Sequence, residues 1–271
     1  MKLLDGRELA GFIKERQLKQ FSTLWTEYHI RAKLAIIITV NDPVINLYVK
    51  LKEKYCQDLN IDIIIFRVDM VSLASTIEKI NQDNSFQGLI LQFPLKEMSD
   101  ADRYINLIDT KKDIDGLSER AIYDPATAKA ILWLLAGYNV NLEIKHILVI
   151  GFGRLVGRPL VKLMQQSGLK PTVADNLTNN LSEMISQADL IITATGQPGL
   201  IKANMIKPNT IIVDAGTTSE NGQLVGDLDL DVYNRSDLIL TPTKGGVGPL
   251  TITALFDNLY QTILDHFIPK I

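Results

Sequence analysis

Residues 147–160 read ILVIGFGRLVGRPL: four apolar, mostly β-branched residues, then Gly151, Gly153 and Gly157, then Arg158-Pro159 and a helical continuation. An apolar run, a glycine turn and a helical pattern together specify a strand, a tight turn and a helix. In such a unit the glycines let the backbone approach a pyrophosphate, and the free amides of the helix start attract its charge. The spacing here is G-x-G-x-x-x-G rather than G-x-G-x-x-G, and a turn tightened only for packing is the competing reading of the glycines alone. The next strand, PTVAD (171–175), ends at Asp175, 24 residues after Gly151. A carboxylate at that point accepts hydrogen bonds from the adenosine ribose hydroxyls and repels a 2′-phosphate, although Asp175 also suits the start of the polar loop DNLTNN. Arg154 and Arg158 in the turn are the available partners for a 2′-phosphate.

Working outward, the pattern repeats. Downstream lie LIITATG (190–196), TIIVDAG (210–216) and LILTPT (238–243). Upstream, LAIIITV (34–40) meets the turn Asn41-Asp42-Pro43, then the helical INLYVKLKEKYCQDL, then IDIIIFRV (61–68), LASTIEKINQD (73–83) and GLILQFPL (88–95). Strands alternating with helices predict parallel sheets, and a change of character near 117–130 predicts two α/β domains. The boundaries expected are 1–120 with a returning C-terminal helix at 250–271 for the first domain, and 121–249 for a Rossmann-like dinucleotide-binding domain. The active site is expected in the cleft between them.

Composition narrows the function. The 271 residues carry a formal charge of −3 with 22% charged residues, which offers no basic stripe for nucleic acid. No apolar run is long enough to span a bilayer, and MKLLDGRELAGF has no signal-peptide pattern. Cys56 is the only cysteine and the three histidines are scattered, so neither a disulfide framework nor a metal site is expected. A cytoplasmic protein acting on a small molecule is the consistent reading.

Four further elements carry candidate chemistry. Tyr48 and Lys52 stand one helical turn apart, so a ring and an ammonium address one ligand; read alone, Lys52 also fits a solvated basic run. Gln92 follows an apolar strand at the carboxyl end, where parallel sheets gather ligand groups. DTKKDIDGL (109–117) holds Asp113, Asp115 and Gly116, too short for a calcium loop but suited to anchoring an NH-rich heterocycle. TPTKGGVGPLT (241–251) brings glycines and a proline before the final helix, as a flat ligand or a plain turn would require.

Together these elements resemble the bifunctional methylenetetrahydrofolate dehydrogenase/methenyltetrahydrofolate cyclohydrolase family. The resemblance runs from about residue 34 to 260 and rests on Y-V-x-x-K-x-K (Tyr48–Lys54), Q-x-P-L (Gln92–Leu95), K-D-x-D-G (Lys112–Gly116), V-G-x-P (Val156–Pro159) and T-P-x-x-G-G-V-G-P-x-T (Thr241–Thr251). VDAG and QLVGDLDL also resemble its later strands. It implies hydride removal from 5,10-methylenetetrahydrofolate and hydrolysis of the methenyl product to 10-formyltetrahydrofolate. It implies Lys52 as the proton-transfer residue, Gln92 orienting it, Tyr48 bordering the folate and Asp115 holding the pterin. Gly151, Gly153, Arg154, Gly157 and Asp175 would bind the dinucleotide, Thr195, Gly196, Gly216 and Thr217 its nicotinamide side, and Gly246 and Pro249 would border the substrate. A homodimer is also implied.

Three departures qualify the resemblance. The segment after Gly116, LSERAIYDPATAKAI, is about nine residues shorter than the family pattern. The family's usual G-R-S at the turn reads Gly151-Phe152-Gly153, and its usual C-H-S reads Ala174-Asp175-Asn176. Phe152, Gly153 and Asp175 therefore favour NAD over NADP as cofactor. A divergent, non-catalytic folate- or dinucleotide-binding protein is the alternative that these departures raise.

Overall fold

The computed structural model describes residues 2–143, 145–220 and 223–268. In chain order the elements are β1 (Lys2–Leu3), α1 (Gly6–Tyr28), β2 (Lys33–Ile38), α2 (Pro43–Asp58), β3 (Asp62–Arg67), α3 (Met70–Gln82), β4 (Gly88–Leu91), α4 (Ala101–Ile105), α5 (Ala126–Gly137), β5 (Ile147–Ile150), α6 (Gly157–Gln166), β6 (Thr172–Ala174), α7 (Leu181–Gln187), β7 (Leu190–Thr193), β8 (Ile211–Asp214), β9 (Thr218–Glu220), β10 (Gln223–Val225), β11 (Ile239–Leu240) and α8 (Val247–His266). They form two compact units, one of Phe12–Ala126 with Ile252–Ile271, the other of Met1–Gly11 with Thr127–Thr251.

The first unit is built on a parallel sheet of order β3-β2-β4, with Ala35 registered against Ile64 on one side and Leu89 on the other. Central β2 is buried from Leu34 through Ile38, which is why it reads as a continuous apolar run rather than an alternation. The chain leaves β2 for β3, then crosses back to β4 on the opposite side. The order therefore reverses between β2 and β4, and a crevice at the carboxyl ends follows from that topology. Asp42 fixes the start of α2, its carboxylate accepting from Val44 N at 2.8 Å and Ile45 N at 3.2 Å, with Pro43 in the first turn where no amide is needed. The expected returning helix is present in α8: within this unit Phe256 stacks on Tyr55 at 4.6 Å between centroids, and Asn258 and Thr262 bond to the chain near 111–124. Burying Phe256 completely is worth about 1.5–3 kcal/mol.

The second unit holds a six-stranded, all-parallel sheet of order β1-β11-β8-β7-β5-β6. Here too the order reverses, between β5 and β7. Ile150, Ala174, Ile191, Ile212 and Leu240 form its core with flanking helical residues. One boundary needs correction: residues 1–11, expected in the first domain, belong to this unit. Lys2 and Leu3 are registered against Ile239 and Leu240, so the N-terminal strand extends the edge of the dinucleotide sheet. Sequence periodicity also overlooked α1, whose apolar positions do not concentrate on one clean stripe. The turn TPTKGGVGPLT needs a second correction, because α8 begins at Val247 and so takes in Gly248 and Pro249. Proline is tolerated there because the first helical turn has no carbonyl partners for its amides.

Candidate active site

Lys52 lies on the buried stripe of α2 formed by Ile45, Val49, Lys52, Tyr55 and Cys56, and is only 8% exposed. Its ammonium donates to Gln92 Oε1 at 2.7 Å. Gln92 is held from two directions: its backbone N–H donates to Ile37 O at 2.9 Å, continuing the β2–β4 ladder, and its side-chain Nε2 donates to Phe93 O at 3.0 Å. The second bond fixes the amide so that its oxygen faces the lysine. The solvated-run reading of Lys52 is thereby excluded, while Lys50 and Lys54 on the same helix are exposed.

Burial lowers the Lys52 pKa, opposed by the nearby Asp115 charge and, to a smaller extent, by Cys56. Burial conversely pushes Asp115 up to about 6, with Lys52 pulling it down and Asp113 adding to the rise. Lysine and carboxyl thus share one field although they come from α2 and from the loop between α4 and α5. Such a corner can hold a lysine in its neutral, proton-accepting form at a pH where an exposed lysine is charged. Cys56, one turn beyond Lys52, is fully buried with its thiol pushed up to about 12 by burial, so it is not a nucleophile. Tyr48, one turn before Lys52, is partly exposed.

The K-D-x-D-G segment divides its labour. Lys112 Nζ donates to Ile80 O, Asn81 O and Asp83 O at 2.7–2.8 Å, closing the C-terminal end of α3. Asp113 is buried and accepts from the amides of Gly116 at 3.0 Å and Ser118 at 2.9 Å, and so shapes the turn itself. Gly116 has φ +70, and a Cβ on it would lie 2.6 Å from Tyr123 O, so the short segment 117–125 folds directly over it. That closure is pinned by Ala126 N donating to Asp115 O at 3.1 Å and by Asn258 Nδ2 donating to Ile114 O and Asp124 O at 2.9 Å each. The shortened loop is therefore a closed, hydrogen-bonded structure, with Asp115 the member of the segment left for ligand chemistry.

In the second unit the glycine turn sits at the β5/β7 reversal. Gly151 has φ +95, and a Cβ there would lie 2.6 Å from Ala194 O; a Cβ on Gly157 would collide with Gly151 O. Both glycines are required by the turn. Gly153 meets nothing within 4 Å, so it answers to no packing demand. Val156 precedes α6 without a side-chain cap; Arg158 N donates to Gly153 O at 3.0 Å and Pro159 has no N–H, so the Gly157 amide is the one of the first turn left for an anion. Gly151 N donates to Ala174 O at 2.8 Å, which sets Asp175 beside the turn as the sequence spacing required. Asp175 is exposed, and its Oδ1 accepts from Leu177 N at 2.9 Å and Thr178 Oγ1 at 3.3 Å, so its carboxylate is held at the strand end. The exposed Arg158 lies over the Phe152 ring at 5.7 Å, and Arg154 is partly buried in the turn. These features fit a dinucleotide pyrophosphate: the Gly157 amide at the helix start, a backbone with room to approach at Gly153, and flanking arginines.

Thr195 and Gly196 leave β7 beside Gly216 and the exposed Thr217, which follow β8. A Cβ on Gly196 would meet Thr217 O at 3.6 Å, so the two expected nicotinamide segments do adjoin. A Cβ on Gly246 would press on Thr241 at 2.9 Å, while a Cβ on Gly6 would collide with Gly246 O; Pro249 lies in the first turn of α8. Sequence reading missed the residues that hold these loops, Asp214 and Asp227, whose signal was a glycine beside each in VDAG and VGDL. It also missed Asn258, an ordinary helix residue in sequence whose role depends on a contact 134–144 positions away.

Two family models cover most of the chain: the tetrahydrofolate dehydrogenase/cyclohydrolase catalytic domain at residues 4–115 and the corresponding NAD(P)-binding domain at 125–267. The bifunctional protein FolD of Lactobacillus acidophilus is 35% identical over 274 residues, covering 96% of each chain. The Campylobacter jejuni bifunctional FolD methylenetetrahydrofolate dehydrogenase/cyclohydrolase superposes with a TM-score of 0.89 at 32% identity, covering 98% of this chain and 99% of that one. The Trypanosoma brucei methylenetetrahydrofolate dehydrogenase-cyclohydrolase, solved with NADP cofactor and inhibitor, gives 0.90 at 26% identity, covering 99% and 98%. With both halves matched and the Lys52–Gln92–Asp115 corner assembled, this chain belongs to the tetrahydrofolate dehydrogenase/cyclohydrolase family.

Proposed function

We propose that this chain oxidises 5,10-methylenetetrahydrofolate to the 5,10-methenyl form with a nicotinamide dinucleotide and hydrolyses that product to 10-formyltetrahydrofolate. The observation that carries the proposal is the buried Lys52–Gln92 hydrogen bond in the field of Asp115. A bound nicotinamide dinucleotide supplies the hydride acceptor. Its pyrophosphate suits the Gly151–Gly157 turn and the N-terminal end of α6, with Arg154 and Arg158 beside it. Asp115 accepts hydrogen bonds from the N–H groups of the pterin, and Tyr48 borders the ring. Loss of hydride leaves a cationic methenyl carbon, beside which a neutral Lys52 is favoured over a charged one. Lys52 then takes one proton of the water that adds to that carbon and returns it to the ring nitrogen as the C–N bond opens, the adduct's hydroxyl proton leaving to solvent as the formyl C=O forms, with Gln92 fixing the lysine nitrogen during both transfers.

NAD is the proposed preference. Phe152 and Gly153 offer no cation at the turn, and the Asp175 carboxylate, anchored at the end of β6, repels a 2′-phosphate. By the family resemblance the protein is further proposed to be a cytoplasmic homodimer, which light scattering on the purified chain tests. The shortened 117–125 segment motivates the rival reading of a binding protein without turnover, against which its closure by Ala126 N on Asp115 O and by Asn258 Nδ2 on Asp124 O argues. Incubation with methylenetetrahydrofolate and either NAD or NADP, following methenyl absorbance as it forms and decays, decides between them. No absorbance change with either cofactor would remove the enzyme reading.

A further inference from the structure

Two carboxylates stand at the carboxyl ends of the second unit's strands, and among the described residues every hydrogen bond to them comes from a backbone amide or a hydroxyl. Asp227 is fully buried; its Oδ2 accepts from Thr193 Oγ1 at 2.5 Å and Thr195 N at 2.7 Å, and its Oδ1 from Gln197 N at 3.0 Å. Asp214 accepts from Gly216 N at 2.9 Å and from Asp227 N and Leu228 N at 3.2 Å each. The Asp214 amide in turn donates to the buried Thr241 Oγ1 at 2.9 Å. Three strand ends, β7, β8 and β11, are therefore tied through the two carboxylates and the Thr241 hydroxyl. The neighbouring glycines are fitted to them: a Cβ on Gly216 would collide with the Asp227 carboxylate, and one on Gly226 with that of Asp214. Burial and the Asp227 charge push Asp214 up to about 6, so the two carboxylates are brought together at an electrostatic cost that the amides they accept from offset.

We propose that Asp227, backed by Asp214, is a positioning residue that fixes the 193–197 and 214–217 segments in the conformation that receives the nicotinamide end of the dinucleotide. The proposal rests on the dehydrogenase reading above. It separates the two ends of the cofactor: the glycine turn and α6 hold the pyrophosphate, with Asp175 at the adenosine ribose, while the Asp227 hub fixes only the segments beside the nicotinamide. Replacing Asp227 by Asn keeps one acceptor but turns an NH₂ toward a backbone N–H, and Thr193→Val removes one donor while nearly preserving shape.

The test compares NAD with ADP-ribose, which lacks nicotinamide, by calorimetry on the full chain. Cyclohydrolysis of methenyltetrahydrofolate serves as a control. In Asp227→Asn, NAD affinity should fall about tenfold and the dehydrogenase kcat about fiftyfold. ADP-ribose affinity and cyclohydrolase kcat should stay within twofold. Thr193→Val should lower the dehydrogenase kcat about tenfold, with ADP-ribose affinity and cyclohydrolase kcat again within twofold, and keeps the test informative if the first variant folds poorly. Equal losses for NAD and ADP-ribose, or unchanged dehydrogenase kcat in both variants, would overturn the proposal. If the unaltered chain binds neither ligand, both this proposal and the dehydrogenase reading fail. If it binds both but transfers no hydride, only the dehydrogenase reading fails, and the affinity comparison still decides the role of Asp227.

Discussion

Replacing Lys52 by Met separates catalysis from stability within one buried side chain. The substitution removes the ammonium bonded to Gln92 Oε1 at 2.7 Å while keeping an unbranched chain of similar volume on the buried stripe of α2. Two terms oppose each other in the folded state. The lost charge-assisted hydrogen bond and the unsatisfied Gln92 oxygen cost about 2–4 kcal/mol, whereas relief of the lysine's desolvation, the first cause of its lowered pKa, acts in the opposite direction. The unfolding midpoint should accordingly move by less than about 5 °C. Catalysis has no such compensation: removing a positioned proton-transfer group costs about 10²–10⁴-fold, or about 2.7–5.4 kcal/mol in the barrier. Decay of methenyltetrahydrofolate under single-turnover conditions measures the rate, and scanning calorimetry the midpoint. Asp115 also loses its opposing charge, so the pH below which folate binding weakens should rise from about 6. Cyclohydrolase activity above a tenth of the original would refute the role assigned to Lys52. A midpoint lowered by more than 10 °C would refute the balance of terms and make the lysine a structural residue.

Asp115 should set an acid limit on folate use, with KM for the folate rising as pH falls through about 6 and Asp115→Asn abolishing that dependence. Its stability effect has the opposite sense: a carboxyl raised from 3.8 contributes stability below that value and loses it as pH rises through about 6, so Asp115→Asn should raise the unfolding midpoint at pH 8 and not below pH 4. Asp175→Ser should improve kcat/KM for NADP relative to NAD by about tenfold, roughly 1–2 kcal/mol for a screened carboxylate–phosphate repulsion, and an unchanged ratio would remove Asp175 from cofactor choice. Gly116→Ala should destabilise the protein by about 2–4 kcal/mol in denaturant titration, because φ +70 and the 2.6 Å approach to Tyr123 O both oppose a methyl group.

The contrast between Asp113 and Asp115 shows where legibility stopped. Both are aspartates two positions apart in one motif, and nothing in their order says which one caps a turn and which one faces a ligand. The three amide contacts that separate them are set by how residues 116–118 turn back, and that turn is fitted to Tyr123 and Asp124 by Gly116. Lys52 is similar: helical spacing put it on one face with Tyr48, but only the buried Gln92 oxygen opposite it removes the solvated reading. Asp214 and Asp227 were invisible because a carboxylate surrounded by amides has the same sequence appearance as one in a surface turn.

The sequence by itself determined the alternation of apolar strands and helices, the glycine turn at 151–157 and the two-unit organisation, because these depend on local periodicity and on residue type at short spacing, while Tyr48, Lys52, Gln92 and Asp115 are singled out as a set by the family resemblance. Only the tertiary structure decided that β1 extends the dinucleotide sheet, that Asn258 closes the short loop, that Lys52 and Asp115 share one field, and that Asp227 and Asp214 help tie the strand ends together. Those outcomes depend on strand order and on contacts between segments more than a hundred residues apart, and a linear pattern does not encode the burial that turns an ordinary lysine or aspartate into a functional one.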